Sequence, residues 1–588
     1  MKKIFKKAFI VPLLMSSAFM LQGCLEEDMP TDYGTQKQID QSADPASLLT
    51  NGLNAIMVMH DTYGVSGTSD DWGYPCQMFI RDILCEDFPI GSSSLDYYYS
   101  WIANGTYLND HPFYAFYFYY YLNANACKII GEYGSKENPT DNEKQATGMA
   151  LTYRALAYLD MARLFEYKTT GFSDLDNRAT AVMGLTVPIV TEATTDEDAK
   201  NNPRAPFYKM YRFILNDLNT AEKDLSDYKR TAKNQPDKSV VWGLKARFWL
   251  ELASRFDRSA DDLATQLSHE SDDDGFAALG IHTANDCYAK AAAYADSVIL
   301  KKDNNSYEPL TKSSWYDTRT GFNTANSAWM WAASMGAKEQ IGSIWYSWMC
   351  NMSSESPIFS WGNYMYTNNN GRGGYRCISR ALYNKIGKGD WRKKSWVAPE
   401  DVDAKAVPEG YSTLLTDSTW CSLDTLANLK FHPGSGNVDD YNVGILCDIP
   451  LMRFEEMYFI KAEAVAHTQG VAAGKLVLES FMNSYRYTDS SYTCSAETMD
   501  DFVDELMVQK RIEFWGEGLV YFDYKRLAKQ IKRYYSGSNF PEEYQLNSKK
   551  GYVAPWLNYT IPQYEQDQNP SVLLNPDPSN TVKSQTDY

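Results

Sequence analysis

Apolar residues recur along this chain at helical spacing, in segments that come in pairs, and this constrains the fold more than any other feature. Within residues 141–168, Leu151, Ala155, Tyr158, Ala162 and Phe165 step by four and three and form one apolar face. Thr140 and Glu143 stand at capping-box spacing in front of them. A Gly/Pro/Asn turn over 134–139 separates this segment from a preceding helix expected over 111–131. A second pair is expected over 206–225 and 239–255, and further helices over 284–300, 450–467 and 502–529. The expected fold class is mainly α: a tetratricopeptide-like scaffold of helical pairs, although the repeat consensus is absent and the spacing irregular.

Between the helices lie two long irregular excursions, residues 61–110 and 306–448, rich in Gly, Ser, Asn, Trp and Tyr. Loops of this length in a helical scaffold are functional or disordered, and their aromatic content argues against disorder. A flat ligand edged by hydroxyls, such as a sugar, needs aromatic faces with Asp, Asn or Arg beside them. The first excursion supplies Asp71, Trp72, Arg81, Asp96, Tyr97, Tyr98, Trp101 and Asn104. The second supplies Trp315, Trp345, Trp348, Trp361 and Tyr364. Plain packing is the competing reading for each ring taken alone, and Trp329 and Trp331 read as an internal strand.

The N-terminus carries Lys2, Lys3, Lys6 and Lys7 followed by an apolar run over 8–21, too short to span a bilayer as a mature helix. It reads as a signal peptide over 1–23. Leu21-Gln22-Gly23-Cys24 resembles a bacterial lipobox, so Cys24 is expected to be acylated and to hold the protein on a membrane. An acidic cluster, Glu26-Glu27-Asp28, follows within a linker over 24–48, ahead of one large unit over 49–588.

The formal net charge of −19 becomes −23 without the four leader lysines, which disfavours nucleic acid and anionic lipid. Neutral sugars and cationic peptides remain compatible with it. Nine cysteines besides Cys24, with no C-x-x-C, indicate neither a disulfide framework nor a zinc ribbon. The acidic run 270–275 offers carboxylates to calcium but follows no EF-hand spacing, so a solvated loop is the plainer reading and no cofactor is expected. The motifs of zinc peptidases, serine hydrolases and P-loop nucleotidases are absent. Glu513 and Glu517, four apart, would share one helical face and invite an enzymatic reading as a carboxylate pair. Lys510, Arg511, Lys525 and Arg526 lie close enough in sequence to make structural ion pairing the stronger one. Gly516 and Gly518 predict a break or close packing in that helix.

Four stretches resemble motifs of the SusD/RagB family. They are ALTYRALAYLDMARLFEY over 150–167, DIPLMRFEEMYFIKAEA over 448–464, QKRIEFWGEGLVYFDYKR over 509–526 and YTIPQYEQDQNPSVLLNPDP over 559–578. Leu519 and Val520 depart from the family's usual Arg or His after the Glu-Gly pair. The resemblance implies a SusD-like fold and a non-enzymatic, surface-exposed outer-membrane lipoprotein. Such a protein captures oligo- or polysaccharide and delivers it to a SusC-like TonB-dependent transporter. It also implies that glycan contacts fall in the region just before the first long helix. A peptide-binding RagB-type protein and a surface glycoside hydrolase are the alternatives.

Overall fold

The structure is a computed structural model and describes residues 42, 44–60, 71–89, 98, 110–270, 275–336, 345–368, 374–579 and 581–582. The chain divides into two units, Met1–Leu49 and Thr50–Tyr588. Of the first unit the described residues are 42, 44 and the start of helix α1 (Pro45–Met57). The second carries the helical scaffold. Cys24 and residues 1–23, expected as a signal peptide, lie outside the described residues.

After α2 (Tyr74–Leu84), the helices α3 (Asp110–Tyr133) and α4 (Asp141–Phe165) form the first pair. The expected capping box is present: Thr140 Oγ1 accepts the Glu143 N–H at 3.3 Å and Glu143 Oε2 accepts the Thr140 N–H at 2.7 Å. Helix α4 is buried at every residue over 146–165, because α3 covers one side and α5 (Phe207–Asp224) another. Arg154 explains how so buried a helix carries a charge: its Nε and Nη2 donate to the two Asp217 oxygens of α5, each at 2.8 Å. Helix α6 (Lys238–Arg258) packs on α5 and on α7 (Ala284–Asp296), which in turn meets α10 (Phe454–Gln469). Arg247 of α6 makes a two-pronged pair with Glu456 of α10, at 2.7 and 2.6 Å.

One expectation changes. The helix expected over 450–467 begins only at Phe454, because Asp448–Arg453 is strand β2, paired antiparallel with β1 (Trp329–Ser334). An Ile-Pro start resembles a helix N-terminus, but here the ribbon buries Trp329 and Trp331, the internal strand residues, completely. The segment expected over 502–529 breaks at its glycines, as expected, into α11 (Met499–Glu513) and α12 (Val520–Leu527). Gly516 (φ +79°) and Gly518 (φ +66°) make the break, in a region other residues avoid. A Cβ on Gly518 would stand 2.5 Å from Met78 Cα, and its N–H donates to Asp82 Oδ2 at 2.8 Å, so the break docks onto α2.

Candidate functional site

Helices α8 (Trp348–Met352) and α9 (Trp361–Asn368) rise from the second excursion. Trp361 and Tyr364, three apart, share a face of α9, and Trp345 precedes α8. Their rings form one patch: Trp345 and Tyr364 are 4.3 Å apart, Trp345 and Trp361 6.0 Å, Trp361 and Tyr364 5.7 Å. Trp361 is 7% exposed and backs the other two, which are half-buried. Buried Cys350 completes the cluster, its thiol pushed well up by burial and therefore neutral. Such a patch can stack on a flat apolar ligand face.

The two excursions meet beside this patch. Asn351 donates from Nδ2 to the Trp345 carbonyl at 3.3 Å and accepts at Oδ1 from Arg376 Nη2 at 2.5 Å. The Arg376 guanidinium lies over the Phe79 ring at 5.0 Å, and Phe79 touches Tyr98 at 4.9 Å and Trp72 at 6.0 Å. Neither Asn351 nor Arg376 carries a local sequence signal that marks it, because their role comes from pairing across separate loops.

The other expected site residues fall elsewhere. Asp96, Tyr97, Trp101 and Asn104 lie outside the described residues. Asp71, Trp72 and Tyr98 are buried, with the Trp72 indole N–H donating to Tyr98 Oη at 2.6 Å, so these rings pack the core. Arg81 is buried too, and donates to Tyr119 Oη and Asp160 Oδ2, each at 3.2 Å. It holds α2, α3 and α4 together and is not placed to meet a ligand. Trp348 is fully buried against Phe431. Trp315 is fully buried as well: its N–H donates to Ser395 Oγ at 2.9 Å, and its ring lies 5.2 to 5.6 Å from the charged ends of Lys430, Arg486 and Arg453. Those desolvated cations make an electron-rich ring face valuable inside the protein.

Glu513 and Glu517 are likewise committed to structure. Glu513 takes Arg392, Arg453 and Arg486, and Glu517 takes Lys430 and Arg453. These are not the neighbours expected from sequence. Lys510 pairs with Asp523, Arg511 with Asp87, and Arg526 with Glu463 and Asp523. Burial alone would raise the Glu513 carboxyl, but Arg486, Arg453 and Arg392 outweigh it and hold it well below the usual carboxylate range. A carboxylate so held is a poor general acid. Of the run 270–275, Glu270 accepts the Phe276 N–H at 2.7 Å, and 271–274 lie outside the described residues. Among the described residues no cluster of His, Cys, Asp and Glu could hold a metal ion, and no helix is long and apolar enough to cross a membrane.

Two family models match the chain, one described as starch-binding associating with outer membrane over residues 77–250, the other as SusD family over residues 437–587. Together they cover more than half of it. The chain belongs to the SusD/RagB family. This is a family of carbohydrate-binding proteins associated with the outer membrane. Solved SusD-like structures share the fold along nearly the whole chain. A SusD-like carbohydrate binding protein from Bacteroides vulgatus is 19% identical, with a TM-score of 0.63 over 90% of this chain and 96% of its own. A SusD superfamily protein from Bacteroides thetaiotaomicron is 19% identical, with a TM-score of 0.60 over 91% and 99%. A laminarin binding SusD-like protein is 15% identical, with a TM-score of 0.57 over 90% and 98%. No curated protein matches. The family's charged motif residues, Arg154, Arg453, Arg511, Glu513, Glu517, Asp523 and Arg526, are all buried in ion pairs, so these charged positions serve the scaffold.

Proposed function

We propose that this SusD-like chain is a cell-surface lipoprotein, anchored at Cys24, that captures oligo- or polysaccharide and delivers it to a partner TonB-dependent transporter without acting on it chemically. The observation that carries the reading is the patch of Trp345, Trp361 and Tyr364, joined through Asn351 and Arg376 to the first excursion. Asn351 and Arg376 are themselves buried, so they brace the patch from behind and leave its half-buried rings, Trp345 and Tyr364, to stack on the flat apolar face of a sugar. The laminarin-binding relative adds a reason to include β-glucan among the ligands tried.

Affinity electrophoresis of the soluble form beginning at Leu25 tests this, with laminarin, starch, inulin, mannan and xylan in the gels. At least one polysaccharide should retard the protein, and chromatography after long incubation should show the glycan uncut. Free migration in every gel, with capture of peptides from a tryptic digest, would put the ligand class wrong. Shortened glycan would make the protein an enzyme.

A further inference from the structure

A groove of about 360 Å³ lies between the first turns of α3, the segment 188–202 and residues 562–569 near the C-terminus. It shares no lining residue with the Trp345 patch. Its volume is that of a small-molecule site. Phe113, Phe116, Tyr117 and Tyr120 of α3 line one side and Tyr564 the other. Phe113, Tyr117 and Tyr121, four residues apart, carry near-parallel rings along the helix, with centroids 6.4 and 6.3 Å apart and planes 25° and 12° from parallel. Tyr564 is 60% exposed, high for so large an aromatic side chain.

The groove also has polar edges. Asn569 donates from Nδ2 to the Asn202 carbonyl at 2.7 Å and to Glu565 Oε1 at 3.3 Å, which fixes the amide's orientation. Its Oδ1, in a side chain 2% exposed, meets no donor among the described residues, so an acceptor remains in the lining of the groove. Glu565 is half-buried beside it.

The frame is stiff. Tyr120 Oη donates to the Pro188 carbonyl at 2.6 Å, and His111 Nε2 meets Tyr559 Oη at 2.7 Å. Arg204 donates to the Leu573 carbonyl at 3.0 Å and to Asn575 Oδ1 at 2.8 Å, pinning the C-terminal segment to the scaffold. Parallel rings along one wall, an exposed ring opposite and fixed acceptors at the edge are complementary to a ligand with flat apolar faces and hydroxyl donors.

We propose that this groove is a second saccharide site, taking a short neutral sugar by stacking on Tyr117 and Tyr564 with hydroxyls donated to Glu565 and Asn569. It rests on the saccharide reading above for its ligand class, but not for its place.

Isothermal titration of the soluble form with laminarihexaose, maltohexaose and mannohexaose tests it, comparing the natural protein with Trp345→Ala, Tyr564→Ala, Tyr117→Ala and the combination of all three. One of these sugars should bind the natural protein at two sites. The groove substitutions should each weaken one site about tenfold, and Trp345→Ala should weaken only the other. Tyr564→Phe, which keeps the ring, should restore most of the groove's affinity. Unchanged isotherms for both Tyr→Ala variants, with all binding lost in Trp345→Ala, would overturn the groove and leave the Trp345 patch standing. The reverse pattern would establish the groove and overturn the patch. No binding of any of the three sugars by the natural protein would overturn the groove site as stated, while the polysaccharide gels decide the wider reading separately. Because Tyr564 is exposed, its replacement leaves the folded state intact, and thermal melting checks this for each variant.

Discussion

Arg486 grips Glu513 with two parallel hydrogen bonds, Nε to Oε2 and Nη2 to Oε1, each 2.8 Å long, with both side chains fully buried. They belong to a balanced set of eight charges: Arg392, Lys430, Arg453 and Arg486 against Asp390, Glu455, Glu513 and Glu517. Burying any one of these alone would be costly; together each is met by a partner. Glu513 is the hub, since three arginines depend on it.

Glu513→Gln should therefore destabilise the protein by about 3–5 kcal/mol, the cost of leaving buried cations without their counter-charge. Urea unfolding followed by tryptophan fluorescence measures it. A loss below about 1 kcal/mol would show that the neighbouring carboxylates can take over, and that the hub assignment is wrong.

Asp82 sets a pH dependence. Burial pushes its carboxyl up to about 8, against the opposing effect of the Gly518 N–H. The unfolded carboxyl titrates near about 3.9. Between these values the folded state keeps a proton that the unfolded state releases, so stability falls as pH rises through that window, by at most about 1.4 kcal/mol per pH unit from this group. Asp82→Asn, which cannot ionise, should remove this component. Its stability relative to the natural protein should grow between pH 5 and pH 8 in urea midpoints, and a constant difference would refute the shifted carboxyl.

Two tryptophans from one excursion should behave oppositely. Trp345→Ala, at a half-buried ring, should weaken glycan binding by roughly 1–3 kcal/mol with little change in melting temperature. Trp315→Ala, at a fully buried one, should cost about 3–5 kcal/mol of stability. Calorimetry of binding and of unfolding on both variants separates the roles. Equal stability losses would return Trp345 to the core.

Cys24→Ala should release the protein from membranes into the soluble fraction, and sedimentation with membranes after a high-salt wash would exclude acylation as the anchor. Mild detergent extraction of the natural protein through a C-terminal tag should recover a large β-barrel partner. Recovery of the chain alone would leave a free-standing surface binder.

Local chemistry was legible in the chain. The Thr140–Glu143 capping box, the paired helices and the glycine break at 516–518 follow from contacts a few residues long. The strand at Asp448–Arg453 was not, because Ile449-Pro450 resembles a helix start until β1 supplies a partner over a hundred residues earlier. The aromatic excursions were recognisable as a class, yet not which of their rings reach a surface.

By itself the sequence determined the helical scaffold and the motifs that place the chain in its family, since each depends on spacing along the chain. Only the tertiary structure decided that Glu513 pairs with Arg392, Arg453 and Arg486 and not with Lys510 or Arg511. It alone separated buried Trp315 and Trp348 from half-buried Trp345. Ion pairing and burial are set by which segments fold against one another, and Glu513 lies 121, 60 and 27 positions from Arg392, Arg453 and Arg486, beyond any local spacing from which the pairing can be read.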